Sequence, residues 1–280
     1  MFFNLGSINL DHVYQVPHFP QSGETLTALA YACFAGGKGL NQSVAAARAG
    51  ALVRHIGACG ADAEFCLELL GQAGADTSLI DNRHAVSGHA LIYVDPLGEN
   101  QIVLNPAANR QIDWTQIEHA LADAKVGDTL ILQNETNHVV QAARLAHSQG
   151  MRVAYSAAPF DADQVAEILG HVDLIAVNRD EAALVSASLQ RDVEQWGVQA
   201  LVTLGGDGAR FYDGTQWHVQ PAMPTEVVDT TGAGDTFFGF FIAHLHSGPQ
   251  QALRLAAQAA ALQVSRPGAA LAIPTLQELA

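Results

Sequence analysis

Short apolar runs and longer amphipathic stretches take turns along most of this chain. Leu52-Val53-Arg54-His55-Ile56-Gly57, Leu130-Ile131-Leu132-Gln133, Arg152-Val153-Ala154-Tyr155, Leu174-Ile175-Ala176-Val177 and Ala200-Leu201-Val202-Thr203-Leu204 are short and largely apolar. Each reads as a strand buried on both faces. Between them, Phe65, Leu69 and Leu70 recur at helical spacing within 62–73, and further helices are predicted over 139–149, 161–169 and 180–188. Gly150 closes the first of these three. The opening Met1-Phe2-Phe3-Asn4-Leu5-Gly6 reads as another buried strand. Strands that alternate with helices predict an α/β fold: a three-layer α/β/α core with a mostly parallel sheet.

Two segments break this rhythm. Residues 12–35 show partial alternation at Thr25, Thr27, Leu29, Tyr31 and Cys33, and 88–104 read as a hairpin around Pro96-Leu97-Gly98-Glu99. Together they predict a small antiparallel sheet outside the main layer. One apolar face of such a sheet needs a cover, from ligand, core or a second subunit. No linker or repeat interrupts the chain, so residues 1–280 are expected to form one domain.

Composition narrows the function. Acidic residues outnumber basic ones, 28 to 13, a net charge of −15. Binding to nucleic acid or to an anionic membrane through bulk charge is therefore excluded. Phosphate chemistry would need local features that overcome the global repulsion. Three scattered cysteines, with no Cys-x-x-Cys pair, favour a reducing, cytoplasmic setting. No basic leader and no span of about 18 apolar residues is present, so neither signal peptide nor membrane helix is expected.

The candidate chemistry lies in polar and Gly-rich groups that follow the strands. Asp229-Thr230-Thr231-Gly232-Ala233-Gly234-Asp235 precedes the apolar stretch Thr236 to Ala243. Small residues at a helix start expose amides and the positive end of the helix dipole, which suits an anion. Asp235, beside that anion, could accept a proton from an attacking hydroxyl, or could merely cap the helix. This is no dinucleotide fingerprint, because Phe237 stands where a third Gly belongs. Gly36-Gly37-Lys38-Gly39-Leu40-Asn41 is no P-loop, because Gly39 follows Lys38. Asn9 and Asp11 follow the first strand and Glu135 follows the strand 130–133, which puts polar groups outside carboxyl strand ends. Asn178 and Glu181 either form a capping box or orient metal-bound water near phosphates. Thr203, Gly205 and Gly208 lie in a turn that is either a plain hairpin or a nucleotide contact. Each feature alone is ambiguous; their convergence at strand ends of one sheet marks an active site.

These motifs resemble the ribokinase-like (PfkB) carbohydrate kinases. The resemblance rests on Gly36 to Gly50 and Asp229 to Asp235, with support from Gly6 to Asp11, Phe19 to Thr25, Gly98-Glu99-Asn100 and Arg266-Pro267-Gly268-Ala269. It implies ATP-dependent phosphorylation of a small sugar's primary hydroxyl, with ribose first among acceptors, Mg2+ bound with ATP, and a monovalent cation such as K+. It also implies a small β-lid from segments 12–35 and 88–104, and the uncovered apolar face of such a sheet makes a homodimer through the lid a further expectation. By motif position, Asp235 is the general base and Gly232, Ala233 and Gly234 form the anion hole. Asn9, Asp11, Gly37, Lys38, Asn41 and Glu135 contact the sugar. Asn178, Thr203, Gly205, Gly208 and Gly234 lie along the nucleotide, and Glu181 holds Mg2+ through water. Asp229, with the carbonyls of Thr231, Arg266 and Gly268, holds the monovalent cation. Three positions depart from the family: Val177 replaces a usual Pro, Ala257 a frequent His or Asn, and Ala272 a frequent Ser of the cation loop. A same-fold kinase for a nucleoside, fructose or a sugar acid stays open at this point, as does a non-catalytic sugar or nucleotide sensor.

Overall fold

The computed structural model describes residues 1–279. Its core is a nine-stranded sheet. Six inner and edge strands run parallel: β1 (Phe2–Leu5), β4 (Val53–Gly60), β5 (Asp76–His84), β8 (Thr129–Leu132), β9 (Arg152–Ser156) and β10 (Leu174–Asn178). β11 (Gln199–Thr203) continues them in parallel, and β12 (Ala209–Tyr212) and β13 (Trp217–Gln220) close one edge as antiparallel strands. The order across the sheet is β13-β12-β11-β10-β9-β8-β1-β4-β5. β1 thus lies near the middle, and its carboxyl end opens onto the site.

Each sheet face carries one apolar layer. On one side pack α1 (Lys38–Arg48), α2 (Glu64–Ala73), α7 (Ala233–His244) and α8 (Pro249–Val264). On the other pack α3 (Trp114–Leu121), α4 (Val139–Ser148), α5 (Ala162–Ile168) and α6 (Arg179–Leu189). α7 is apolar all round because it is covered all round: Phe237, Phe238, Phe240, Phe241 and Ile242 are all buried. Among the described residues, no helix is long and apolar enough to cross a membrane.

The second sheet has the order β3-β2-β6-β7, from β2 (Asn9–Gln15), β3 (Ala30–Gly36), β6 (Gly88–Val94) and β7 (Asn100–Asn105). Its two hairpin-like pairs are antiparallel, and they meet along a parallel seam between β2 and β6. Within 12–35 only the ends are strand; the middle is an irregular excursion. β5, α3 and α8 have no counterpart among the sequence-based elements. β5 carries Asp76, Asp81, Asn82 and Arg83, because an edge strand has a side in water. Val227 and Val228, which lead into the Gly-rich loop, are exposed and outside any strand.

Candidate active site

α7 starts at the Gly-rich loop as expected. Gly232 takes a φ of 78°, a left-handed turn that a side chain disfavours, and the helix begins at Ala233. Asp235 sits in its first turn, only 9% exposed. Asn41 Nδ2 donates to its Oδ2 at 3.0 Å and Gln42 Nε2 donates to its Oδ1 at 2.8 Å. The carboxylate lines a cleft with Lys38, Asn178, Glu181, Thr203 and Gly232 to Gly234. The Ala233 amide donates to Thr230 O at 3.2 Å, a long neutral bond with which a charged oxygen can compete.

α1 supplies the other wall. Gly39 allows this, since a Cβ there would overlap the backbone of Gly6 and Ser7. Lys38 lies at the N-terminus of α1, and its ammonium is held above the ordinary range. Asp235 is the main cause, acting against burial, with help from Glu135 and Glu181. Glu135 accepts from Lys38 N at 3.0 Å and from the Ser7 hydroxyl. Asp11 is pushed up to about 6, first by burial and then by the charge of Glu135. Its carboxylate lies over Gly36, where any Cβ would collide with it. Asn9 is buried, and its Oδ1 accepts from Asn109 Nδ2 at 2.7 Å.

Further along the cleft, Asn178 and Glu181 do form a capping box on α6. Asn178 Oδ1 accepts from Glu181 N, and Glu181 Oε2 accepts from Asn178 N, both at 2.8 Å. Both residues also line the cleft, so capping and site placement coincide. Glu181 is raised above the ordinary range, chiefly by burial. A hydrated divalent ion fits a carboxylate whose charge is poorly compensated in this way. Gly205 and Gly208 are different. They lie in the β11–β12 hairpin and do not line the cleft; a Cβ on Gly208 would strike the backbone of Gln220 to Ala222.

The cation loop brings a further difference. Asp229 accepts from Thr231 N and from Gly268 N, each at 2.9 Å. Burial pushes its carboxyl up, yet these bonds outweigh burial and hold it low. The carbonyls of Thr231 and Gly268, expected to face a potassium-type ion, both accept from Gln263 Nε2, at 2.8 and 3.3 Å. The Arg266 guanidinium donates to Glu278 at 2.8 Å, a side-chain contact separate from its carbonyl. Two of the expected cage oxygens therefore already accept from a protein donor.

Residue patterns missed the residues that brace the site. Gln133 Nε2 bridges Gln42 Oε1 and Asn4 Oδ1, at 2.8 and 2.9 Å. Asn4 Nδ2 in turn donates to Ser43 Oγ at 2.7 Å, and Ser43 meets His55 Nδ1 at 2.8 Å. Burial pushes His55 down to about 4, so the ring is neutral. Asn4, Gln42, Ser43, His55, Asn109, Gln133 and Gln263 are all buried. The available signal was a polar residue inside an otherwise apolar strand or helix, which must find a partner.

A carboxylate beside a glycine-formed helix start, facing a cleft at the carboxyl end of a parallel sheet, defines a phosphotransferase of the α/β class. Comparison with known proteins agrees. Residues 3–276 match the pfkB family carbohydrate kinase model. The ribokinase of Haemophilus influenzae is 36% identical over 293 residues, covering 98% of this chain and 95% of that protein. The Cryptococcus neoformans ribokinase, solved in complex with ADP, superposes with a TM-score of 0.88 at 29% identity, covering 99% of this chain and 98% of that one. The Arabidopsis thaliana ribokinase, solved with ribose and ATP, gives 0.85 at 26% identity, over 99% and 96%. The chain belongs to the pfkB family of carbohydrate kinases. It is a sugar kinase of the ribokinase type.

Proposed function

We propose that this enzyme transfers the γ-phosphate of ATP to the primary hydroxyl of a small sugar, with ribose as the preferred acceptor. The supporting observation is Asp235, whose two oxygens are held by Asn41 and Gln42 beside the Gly232–Gly234 loop. A carboxylate fixed in this way takes the hydroxyl proton as the oxygen attacks phosphorus. The loop amides stabilise charge on the transferring group; each such donor is worth about 2.7–4 kcal/mol in comparable enzymes. Asp11, Asn41, Glu135 and the backbone around Gly37 hold the sugar, with Asn9 braced behind them by Asn109. Lys38, raised by Asp235, stays charged and offsets the acidic wall. Asn178 and Thr203 border the nucleotide, and Glu181 holds Mg2+ through water. When bound, the metal neutralises phosphate charge, which a protein at −15 otherwise repels. A potassium-type ion has no part in this proposal, because Gln263 occupies its carbonyls.

The small sheet acts as a lid over the sugar and excludes water from the transfer. On the face that carries Tyr14, Tyr31 and Val103 are exposed, and the Tyr14 ring lies tilted against both Tyr31 and Tyr93. Such a face suits a second copy of the lid. Light scattering should give twice the chain mass; a monomer at high concentration would remove the dimer. The sparse, unpaired cysteines fit a cytoplasmic enzyme.

The direct test is Asp235→Asn. ADP release with ATP and ribose should fall by at least about a thousandfold, within the range of losses for a missing general base combined with altered site charge. Ribose binding by calorimetry should persist. Near-normal turnover would take the proton-accepting role away from Asp235. A panel of ribose, deoxyribose, fructose and nucleosides sets the acceptor.

A further inference from the structure

We infer that the side-chain amide of Gln263 takes the place of a monovalent cation, so that the kinase works without one. The inference rests on the sugar-kinase reading above, but its geometry is independent of the acceptor. Two backbone carbonyls, Thr231 O and Gly268 O, converge on one point between the Gly-rich loop and the turn after α8. Gln263 Nε2 occupies that point, donating to the first at 2.8 Å and to the second at 3.3 Å. With the amide nitrogen at the point where both carbonyls converge, no space is left there for a cation.

The amide orientation is set by these partners. Reversing it would aim Gln263 Oε1 at two carbonyl oxygens, which repel it. As it stands, Oε1 is buried and has no partner. An orphaned acceptor on one side is tolerated because the other side satisfies two carbonyls at once. Gln263 is fully buried on the last turn of α8, so the amide cannot swing out to solvent. Its own carbonyl accepts from Arg266 N at 3.1 Å, which pins the turn that follows. Ala272, buried and without a hydroxyl, offers no oxygen to a cation.

The strut leads directly to the catalytic loop. Thr231 precedes Gly232, and a Cβ on Gly232 would lie 3.3 Å from Ala269 Cβ, one residue beyond Gly268. Asp229 ties the same two segments together through Thr231 N and Gly268 N. Asp229 and Gln263 thus form a donor–acceptor clamp, in which the carboxylate binds both amides and the amide binds both carbonyls. A cation bound to carbonyls gives rigidity plus a positive charge. The Gln263 amide gives the rigidity with no net charge and no dependence on salt.

The test compares wild type in potassium chloride and in tetramethylammonium chloride at equal ionic strength, by ADP release and by melting temperature. Wild type should turn over at rates within about twofold in the two salts, and melt at the same temperature, since a site already filled gains nothing by linkage. Gln263→Ala leaves both carbonyls unpaired and opens space. In tetramethylammonium it should lose at least about tenfold in kcat, as expected for two orphaned acceptors beside the site, and potassium should restore most of the loss and raise its melting temperature. Gln263→Met, which fills the space but donates nothing, should lose activity without rescue. Severalfold potassium stimulation of wild type, or a potassium-specific rise in its melting temperature, overturns the inference. So does an alanine variant fully active without potassium. If the alanine variant does not fold, the wild-type comparison decides alone. If no acceptor is phosphorylated in either salt, the kinase reading fails, while the melting comparison still decides the role of Gln263.

Discussion

A carboxylate in the first turn of a helix ordinarily samples several rotamers. Asp235 does not, because Asn41 and Gln42 each hold one of its oxygens. Asn41 belongs to a motif that announces itself, whereas Gln42 is the next residue and is silent in the pattern. Yet Gln42 is the link between the base and the buried chain Gln133–Asn4–Ser43–His55. It touches no reacting atom, so its role is to position. Gln42→Leu removes one charge-assisted bond, worth about 1.5–3 kcal/mol. If that bond serves the attacking geometry, kcat should drop by roughly ten- to a hundredfold while the sugar KM moves little. A KM rise with kcat unchanged would mean that Gln42 serves substrate binding instead. The same residue illustrates what a pattern hides. Position 42 lies in an Ala-rich helix, and its neighbours say only that the helix is buried. Its partner, Gln133, ends an apolar strand 91 positions away. Only the folded sheet brings the two together.

At the level of elements, the base and its holders ride on different helices, α7 and α1, so the distance between those helices is a catalytic quantity. Gly239 sets it: a Cβ there would overlap Ala45 Cβ and lie 2.9 Å from Ala46 N. Gly239→Val should cost about 1–3 kcal/mol of stability as an overpacked core does, measured by urea denaturation. It should also lower kcat, since pushing α7 away stretches the bonds to Asp235. Gly71 in α2 is the control, because nothing lies within 4 Å of its would-be Cβ. Gly71→Ala should be neutral or stabilise by about 0.5–1 kcal/mol through backbone entropy. A Gly239 variant as stable as Gly71→Ala would contradict the close-packing account. Elements of this kind were the most readable part of the chain. Central strands such as Leu174 to Val177 and Ala200 to Thr203 are apolar on both faces because helices cover both, so their runs are unbroken. β5 was not legible because an edge strand keeps polar residues on its open side. α8 was not, because its apolar positions are mostly alanine, which says little about which face is buried. The motif loops could be read because glycine and a carboxylate at a helix start have few other uses. Gly205 and Gly208 could not be resolved from sequence because a tight hairpin, which they do form, needs glycine just as a nucleotide contact does.

For the whole molecule, acid stability is a sum over such sites, and two of its largest members oppose each other. Asp11 is raised from 3.8 to about 6 in the fold. The folded state therefore holds this proton more tightly than the unfolded chain. Its stabilising contribution is complete below about 3.8 and is lost as pH rises through about 6. His55 is lowered from 6.5 to about 4. Here the fold rejects the proton, so the contribution is complete above 6.5 and is lost as pH falls through about 4. Each shift corresponds to roughly 3 kcal/mol, and the two windows overlap. Between pH 6 and pH 4, acidification costs stability at His55 and returns it at Asp11. Glu181, also raised by burial, adds to the Asp11 side. The carboxylates held down to about 2, Asp81 and Glu278, respond mainly below this window and are exposed enough to contribute little. Wild-type stability should therefore be nearly flat from pH 6 to pH 4, in spite of a buried histidine. Asp11→Asn removes one side of the balance. In that variant, urea midpoints should fall steadily over the same interval, by an amount approaching about 3 kcal/mol. If wild type and Asp11→Asn lose stability in parallel, Asp11 is not the compensating group. If neither loses any, His55 does not stay neutral in the fold.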